Sequence, residues 1–329
     1  MRKIIPLFAI ILWACGAPSQ VDNAHAQETN PAKTPGVSTA AAPAVAADSS
    51  PSHPLGNAQS LGVPLPGAQP VLWRKVAPQN LLYLKTRHGV TLIEMAPDFA
   101  PHHVQRLRDL ATSGYYKGLP FHRVIKDFMA QAGDTALVRR DPPKTPPLKG
   151  EFRFRRSPAQ TITVVGEERS ANTGFVDGFP VASQPDALAS MTADGKVWAW
   201  ALHCPGAAAM ARTNDPDSAN AEFYITTGKA DWLDGTYTVW GRVRAGQNAV
   251  RQIKLGAPAY PPDMIEDLSL GSTMPASKQA QVWVMRTDTP AFAAWLAKHK
   301  DANGALPSIC DIAVPVYVQW PASKTKMEK

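Results

Sequence analysis

The stretch FHRVIKDFMAQAGD, Phe121 to Asp134, decides how the rest of the chain is read. Arg123 sits in an apolar run with Phe121, Val124 and Ile125, and Phe128, Met129 and Gln131 follow at once. The segment reads as two short strands. One fixed cation beside an apolar wall suits a site that grips an apolar ring and polarises one bond next to it. Proline is such a ring, and the bond is the peptide bond before it. That bond resists rotation by about 18–20 kcal/mol because its C–N link is partly double. Before proline the two isomers are close in energy yet exchange over tens to hundreds of seconds. No covalent step is needed to hasten the exchange. A guanidinium donating to the proline nitrogen localises its lone pair in the twisted transition state, while an apolar pocket holds the ring.

Upstream, Asn80–Thr86 and Val90–Met95 read as strands around the turn His88-Gly89. A helix follows. Pro101 suits its first turn, Val104, Leu107, Leu110 and Ala111 make a buried stripe, and Gly114 ends it. Residues 138–200 show no clear period. Ala207–Ala211, Glu222–Thr227 and Tyr237–Val243 read as further strands, and Gly246–Ile253 as a short second helix. Many short strands with two helices predict a barrel. After 257 the pattern restarts. Val282–Met285 and Ile312–Trp320 are strand-like, and Pro290–Lys300 is helical with Phe292, Trp295 and Leu296 on one face. The expected organisation is a main domain over 73–256, with an insertion at 138–200, and an appendage over 257–329 packed on it. There is no internal repeat.

The chain has 329 residues, 44% of them apolar, enough for a sizeable core. Arg2 and Lys3 precede the apolar stretch Ile4–Trp13, which is too short for a permanent membrane span and reads as an export signal. Two cleavage readings stand. Leu12-Trp13-Ala14-Cys15 resembles a lipobox, leaving Cys15 lipidated as the only membrane contact; Ala24-His25-Ala26 fits a signal-peptidase site that ends the signal at residue 26. Residues 27–72, rich in Ala, Pro, Ser and Gly, read as a disordered tether reaching roughly 35 Å. The net charge of +7 is scattered, with small clusters at Arg153–Arg156 and Lys324–Lys329. Scatter and export together argue against a nucleic-acid partner. Beyond Cys15, Cys204 and Cys310 remain, in an oxidising compartment. A bridge between them would stabilise by about 4–5 kcal/mol in the chain-entropy model; two separate buried thiols are the alternative.

Three blocks carry a family likeness, in order: FHRVIKDFMAQAGD at 121–134, GAAAMARTNDPDSANAEFYIT at 206–226 and DWLDGTYTVWGRV at 231–243. Ala100-Pro101 and Gly114-Tyr115-Tyr116-Lys117-Gly118 also fit. Through them the chain from about Leu81 to Ile253 resembles the cyclophilin-type peptidyl-prolyl isomerases. The Ala-Arg-Thr form of the second block and the tail after 257 look like bacterial exported members, which implies a periplasmic location. The resemblance implies a mainly β fold, an eight-stranded antiparallel closed barrel capped by two helices, with a small α+β C-terminal appendage. The barrel is filled by side chains, so the site is a groove on its outer face. Matched motif by motif, Arg123 is the catalytic residue. Phe128, Met129, Tyr224 and Leu233 form the proline pocket, and Gln131 orients the guanidinium. Ala211 and Arg212 offer backbone to the peptide, and Trp232 and Tyr237 rim the groove. The implied partners are unfolded or flexible proline-containing polypeptides. Cyclosporin-type ligands also enter through the family; Trp232 favours them, and Arg212 and the insertion could obstruct them. No cofactor and no metal are implied.

Three positions depart from the family pattern. Tyr224 stands where Phe is usual, adding a hydroxyl that needs a partner or water. Tyr237 stands where many members have His or another aromatic. Glu222 stands where Gln is usual; beside Arg123 it would lock the guanidinium or draw off its charge, and lower turnover is expected. His122 reads as structural, Trp198 and Trp200 as core, and His102-His103 as solvated. No C-x-x-C or His-x-x-x-His pair suggests zinc, and neither G-x-S-x-G nor G-x-G-x-x-G occurs. The rival to an isomerase is a proline-peptide-binding or chaperone module of the cell envelope with little turnover. A third reading, a scaffold for an envelope partner, rests on the appendage alone.

Overall fold

Strand parity organises the structure, a computed structural model that describes residues 63–168 and 170–321. The expected export signal, Cys15 and most of the expected tether lie outside the described residues. Eight strands form one antiparallel sheet: β1 (Leu81–Thr86), β2 (Gly89–Met95), β3 (Phe121–Ile125), β4 (Met129–Ala132), β5 (Ala207–Met210), β6 (Phe223–Thr226), β7 (Val239–Ala245) and β8 (Asp267–Leu270). Their order is β8-β1-β2-β7-β5-β6-β4-β3. The two edges meet through the chain leading into β8. Val124 and Gly256 exchange backbone hydrogen bonds at 2.7 and 3.0 Å, the Phe121 N–H donates to Asp263 O, and the Ile265 N–H donates to Leu119 O. The sheet is thereby curled into a barrel.

Alternation along each strand sends one set of side chains inward. Leu82, Leu84, Ile93, Met95, Ala130, Ala132, Phe223, Ile225 and Trp240 share a core with Val104, Leu107 and Leu110 of α1 (Pro101–Thr112) and Val250 of α2 (Gln247–Arg251), the two capping helices. The other set faces outward and is covered by later parts of the chain. Leu81 and Tyr83 pack on Val282, Val284 and Val316. Both faces of β1 are therefore buried, which is why Leu81–Leu84 reads as a continuous apolar run rather than an alternating one.

Residues 138–200, without a legible period, contain most of a second sheet. Phe154–Arg156, Val197–Ala201, Phe179–Ser183, Ala171–Val176 and Thr163–Glu168 pair antiparallel in that spatial order. One face, with Phe154, Val176, Phe179, Val181 and Ala199, lies on Ala207, Ala209, Met129 and Tyr224 of the barrel's outer surface. The other, with Ala171, Phe175 and Ala182, packs on Phe292, Trp295 and Leu296 of α3 (Pro290–Ala297). In Ala171–Val176 and Phe179–Ser183, burial on both faces erases the polar alternation that sequence patterning relies on. Trp198 departs from the expected core position: it is 42% exposed, with Arg155 over its ring, and Trp200 is only partly buried.

Two boundaries shift. The last barrel strand is Asp267–Leu270, so the barrel runs past 256 into the segment expected to be appendage. Trp73–Lys75 belongs to the appendage instead, pairing with Gln281–Met285, which in turn pairs with Val316–Gln319. The tether's last residues are packed as well: Val63 is buried, and the Trp73 indole donates to Pro64 O at 2.9 Å. Cys204 and Cys310 form a disulfide across 106 residues, with Cα atoms 4.8 Å apart.

Two polar clamps hold the layers together. Glu94, buried on β2, accepts from Arg74 Nη2 at 2.9 Å and from Arg244 Nε at 2.7 Å. Burial opposes its charge, but Arg244 and Arg74 outweigh that and keep its carboxyl below the ordinary value. Arg244 is pulled down to about 10 by its own burial, so it is the member most dependent on the carboxylate. The second clamp caps α1, which has no side-chain cap of its own. Glu151, from the insertion, accepts from the N–H groups of His102 and His103 and from both Nδ1 atoms. It thus satisfies donors that a helix start leaves open. His103 is fully buried, against the expectation of a solvated pair, whereas His102 is exposed.

Replacing Glu94 by Ala strands buried Arg244 without a counter-charge, and the expected loss is about 3–5 kcal/mol, read from denaturant midpoints. Glu151 gives a pH test. Burial opposes its charge, but the hydrogen bonds from His103 and His102 bring its pKa down to about 2 from an ordinary 4.5. A depressed carboxylate stabilises the fold above the unfolded value and loses that contribution as pH falls through the folded one. The stability gap between wild type and Glu151→Gln should therefore be constant above pH 5 and shrink as pH falls from about 4.5 toward 2.

Candidate active site

The outward set of β3, β4 and β6 builds the site. Gln131 lies opposite Arg123 on one side and Tyr224 on the other, and Met129 lies opposite Ile125 and Thr226. A bulge between Phe121 and Arg123 resets the parity of β3. Phe121 and Val124 both point into the core, and Arg123 is left exposed on the outer face. Tyr224 and Met129 are outward residues too, but the insertion's sheet covers one side of them and leaves a depression.

Ten residues line that cleft of about 300 Å³: Arg123, Phe128, Met129, Gln131, Ala211, Arg212, Tyr224, Trp232, Leu233 and Tyr237. These are the residues expected from sequence, save Glu222. The Arg123 guanidinium lies 5.9 Å from the Phe128 ring centroid, and its Nη1 faces Gln131 Oε1 at 3.4 Å. The Phe128 and Trp232 rings lie 5.4 Å apart, and Trp232 is 61% exposed at the rim. Arg212 lies 4.2 Å above Tyr237, its nitrogens donating to Thr213 O and Thr236 O. Of the Ala211 backbone groups expected to meet a peptide, the N–H is engaged with Glu222 O at 2.9 Å.

Glu222 lines a neighbouring cleft of about 210 Å³ that shares Gln131, Ala211 and Arg212 with the first. Its carboxylate accepts from Gln131 Nε2 at 2.9 Å and pairs with His122 Nε2 at 3.2 Å. The hydrogen bond from His122 is the main reason its carboxyl lies below the ordinary value; burial opposes it, and Gln131 adds to it. Among the described residues, no carboxylate lies within 4.0 Å of Arg123. Glu222 thus acts on Arg123 at one remove, by turning the Gln131 amide so that its oxygen faces the guanidinium.

The Tyr224 hydroxyl has the partner its burial requires, His203 Nε2 at 3.0 Å. His203 Nδ1 in turn lies 2.8 Å from Asp234 Oδ1. Sequence reasoning named neither His203 nor Asp234. The signal for them was indirect: a Tyr in place of Phe needs an acceptor, but nothing in the spacing says which residue supplies it. Among the described residues, no group of three or more His, Cys, Asp or Glu is placed to hold a metal ion.

The comparisons with known proteins bear on this geometry. Residues 81–268 match the family model of the cyclophilin type peptidyl-prolyl cis-trans isomerases. A probable peptidyl-prolyl cis-trans isomerase of Brucella suis biovar 1 (strain 1330) is 34% identical over 182 residues, covering 55% of this chain and 75% of that protein. The human peptidyl-prolyl cis-trans isomerase-like 1 is 28% identical over 177 residues, covering 54% and 80%. Among solved structures, the cyclophilin AquaCyp293 from Hirschia baltica superposes with a TM-score of 0.70 at 37% identity, covering 78% of this chain and 97% of that one. That share is larger than residues 81–268, so the likeness takes in structure outside the barrel. With more than half its length matched, and with barrel and cleft as described, this chain belongs to the cyclophilin-type peptidyl-prolyl cis-trans isomerases.

Proposed function

We propose that the protein accelerates rotation about Xaa-Pro bonds of exported, unfolded or flexible polypeptides, with Arg123 as the catalytic residue. The observation that carries this is the convergence of one exposed guanidinium with a cleft of about 300 Å³ that has apolar walls. Phe128, Met129, Tyr224 and Leu233 form the apolar walls, and Gln131 sits between them and Arg123. Ring binding there fixes one end of the bond while the preceding residue turns. A guanidinium keeps its charge and presents its donors in a fixed plane, so it can donate to the proline nitrogen as its lone pair localises. Attraction that strengthens only as the bond twists lowers the barrier instead of merely tightening binding. Gln131, held by Glu222, limits the guanidinium's freedom and so lowers the entropic cost of that alignment.

Export is supported by the basic-then-apolar start of the sequence and by the Cys204–Cys310 disulfide, a bond that persists in oxidising compartments. A periplasmic location, with or without a lipid on Cys15, fits both, and so does a role in assisting folding there. Cyclosporin-type ligands would enter the same cleft past Trp232, with Arg212 stacked on Tyr237 at its other rim.

The decisive measurement is exchange NMR on a short Xaa-Pro peptide with wild type and Arg123→Ala. Wild type should accelerate exchange catalytically, and the variant should lose about 10²-fold in kcat/KM, as expected for deletion of one transition-state donor. A wild type that binds the peptide without accelerating exchange would establish the binding-module reading instead. The same assay with Glu222→Gln tests the carboxylate. Removing a charge one residue away, screened by water, is worth about 0.5–1 kcal/mol, so kcat/KM should rise about two- to fivefold. An unchanged value would show that Glu222 only orients Gln131.

A further inference from the structure

His203 belongs to no block that carries the family likeness, yet it touches two walls of the ring cleft at once. Its side chain is fully buried. On one side, its Nε2 lies 3.0 Å from the hydroxyl of Tyr224, which is itself 4% exposed, and the two ring planes are inclined by only 16°, with centroids 6.0 Å apart. On the other side it grips the segment that carries Trp232 and Leu233. Its carbonyl accepts from the Ala230 N–H at 3.0 Å, while its own N–H and Nδ1 both reach Asp234 Oδ1, at 2.7 and 2.8 Å. The next residue, Cys204, is fixed by the disulfide to Cys310, and its carbonyl accepts from Thr226 Oγ1 at 2.7 Å.

The direction of the bonds follows from chemistry. A carboxylate only accepts, so the imidazole carries a proton on Nδ1 toward Asp234; in the neutral ring Nε2 is then bare and accepts. Burial, then Tyr237 and Asp234, keep the Tyr224 hydroxyl protonated, so it donates to Nε2. Each buried polar atom in the relay then has a partner, and neither the strand wall nor the loop wall can shift without breaking a buried hydrogen bond.

We propose that His203, oriented by Asp234, is a positioning residue for the isomerase: it sets the spacing between Tyr224 and the Trp232–Leu233 segment and so the fit of the proline ring. The proposal rests on the isomerase reading above. Arg123 hangs from β3 and Gln131, outside this relay, so loosening His203 should weaken ring binding and leave the bond-twisting step alone.

The test uses the full chain with His203→Ala, His203→Asn and His203→Gln. Asn puts its amide near the Nδ1 place and keeps the Asp234 contact; Gln reaches the Nε2 place and keeps an acceptor for Tyr224. His203→Ala is expected to raise KM about tenfold, the worth of a lost buried hydrogen bond, with kcat within about twofold of wild type. The Asn and Gln variants should each recover about threefold of that loss, because each restores one wall. The Kd of the same peptide, from NMR titration, should move in parallel. Unchanged KM and Kd in folded His203→Ala would overturn the proposal, as would a fall in kcat at constant KM. Should the Ala variant not fold, by its thermal melt and near-ultraviolet circular dichroism, wild type decides through its ¹⁵N-histidine spectrum. A bare Nε2 and protonated Nδ1 are expected, and the opposite tautomer overturns the relay. A wild type that binds the peptide without accelerating its exchange removes the isomerase reading alone, and the Kd comparison then decides the role of His203.

Discussion

The two-residue period of the β-strand is the constraint on which the rest of this protein depends. The interior of this barrel is filled by its own side chains, so function must lie on the outward set. In β4 and β6 that rule puts Ala130, Ala132, Phe223 and Ile225 inside and Met129, Gln131 and Tyr224 outside. One irregularity completes the site. The bulge in β3 turns Arg123 outward while Phe121 and Val124 stay in the core. Without that extra residue the cation and the apolar wall would lie on opposite faces of the sheet.

An outward apolar set on a barrel has to be covered, and the insertion and tail do this in layers. The insertion's sheet lies on the barrel, and α3 lies on that sheet. Each layer is tied to the next by a group that would be costly to strand: Glu94 between Arg74 and Arg244, Glu151 at the start of α1, and the disulfide from Cys204 to Cys310. The cleft is the gap where coverage stops. All its lining residues come from the barrel strands and their connections, with the insertion's sheet packed against Met129 and Tyr224; Tyr224, His203 and Asp234 couple its strand wall to its loop wall.

Legibility in the sequence followed the local character of each signal. The capping helix α1 was readable because its stripe, its Pro and its closing Gly all act within a few residues. The cleft residues were readable because three contiguous blocks carry them. The insertion was not. Two of its strands are buried on both faces while Thr163–Glu168 is largely exposed, so no common period runs through residues 138–200, and Trp198 looked like core although it faces solvent. The boundary at 256 failed for a related reason. β8 pairs with β1 across most of the chain, and nothing local marks Asp267–Leu270 as barrel.

The sequence by itself determined the family, the barrel and the identity of the residues around the cleft, because those depend on contiguous motifs and on strand period. It also supplied both halves of the disulfide. Only the tertiary structure decided what those residues touch. It moved Glu222 off Arg123 and onto Gln131 and His122, engaged the Ala211 N–H in the sheet, and gave the Tyr224 hydroxyl a partner 21 residues away in the chain. Hydrogen-bond partners of buried groups are fixed by which surfaces the fold brings together, and linear spacing carries no record of that.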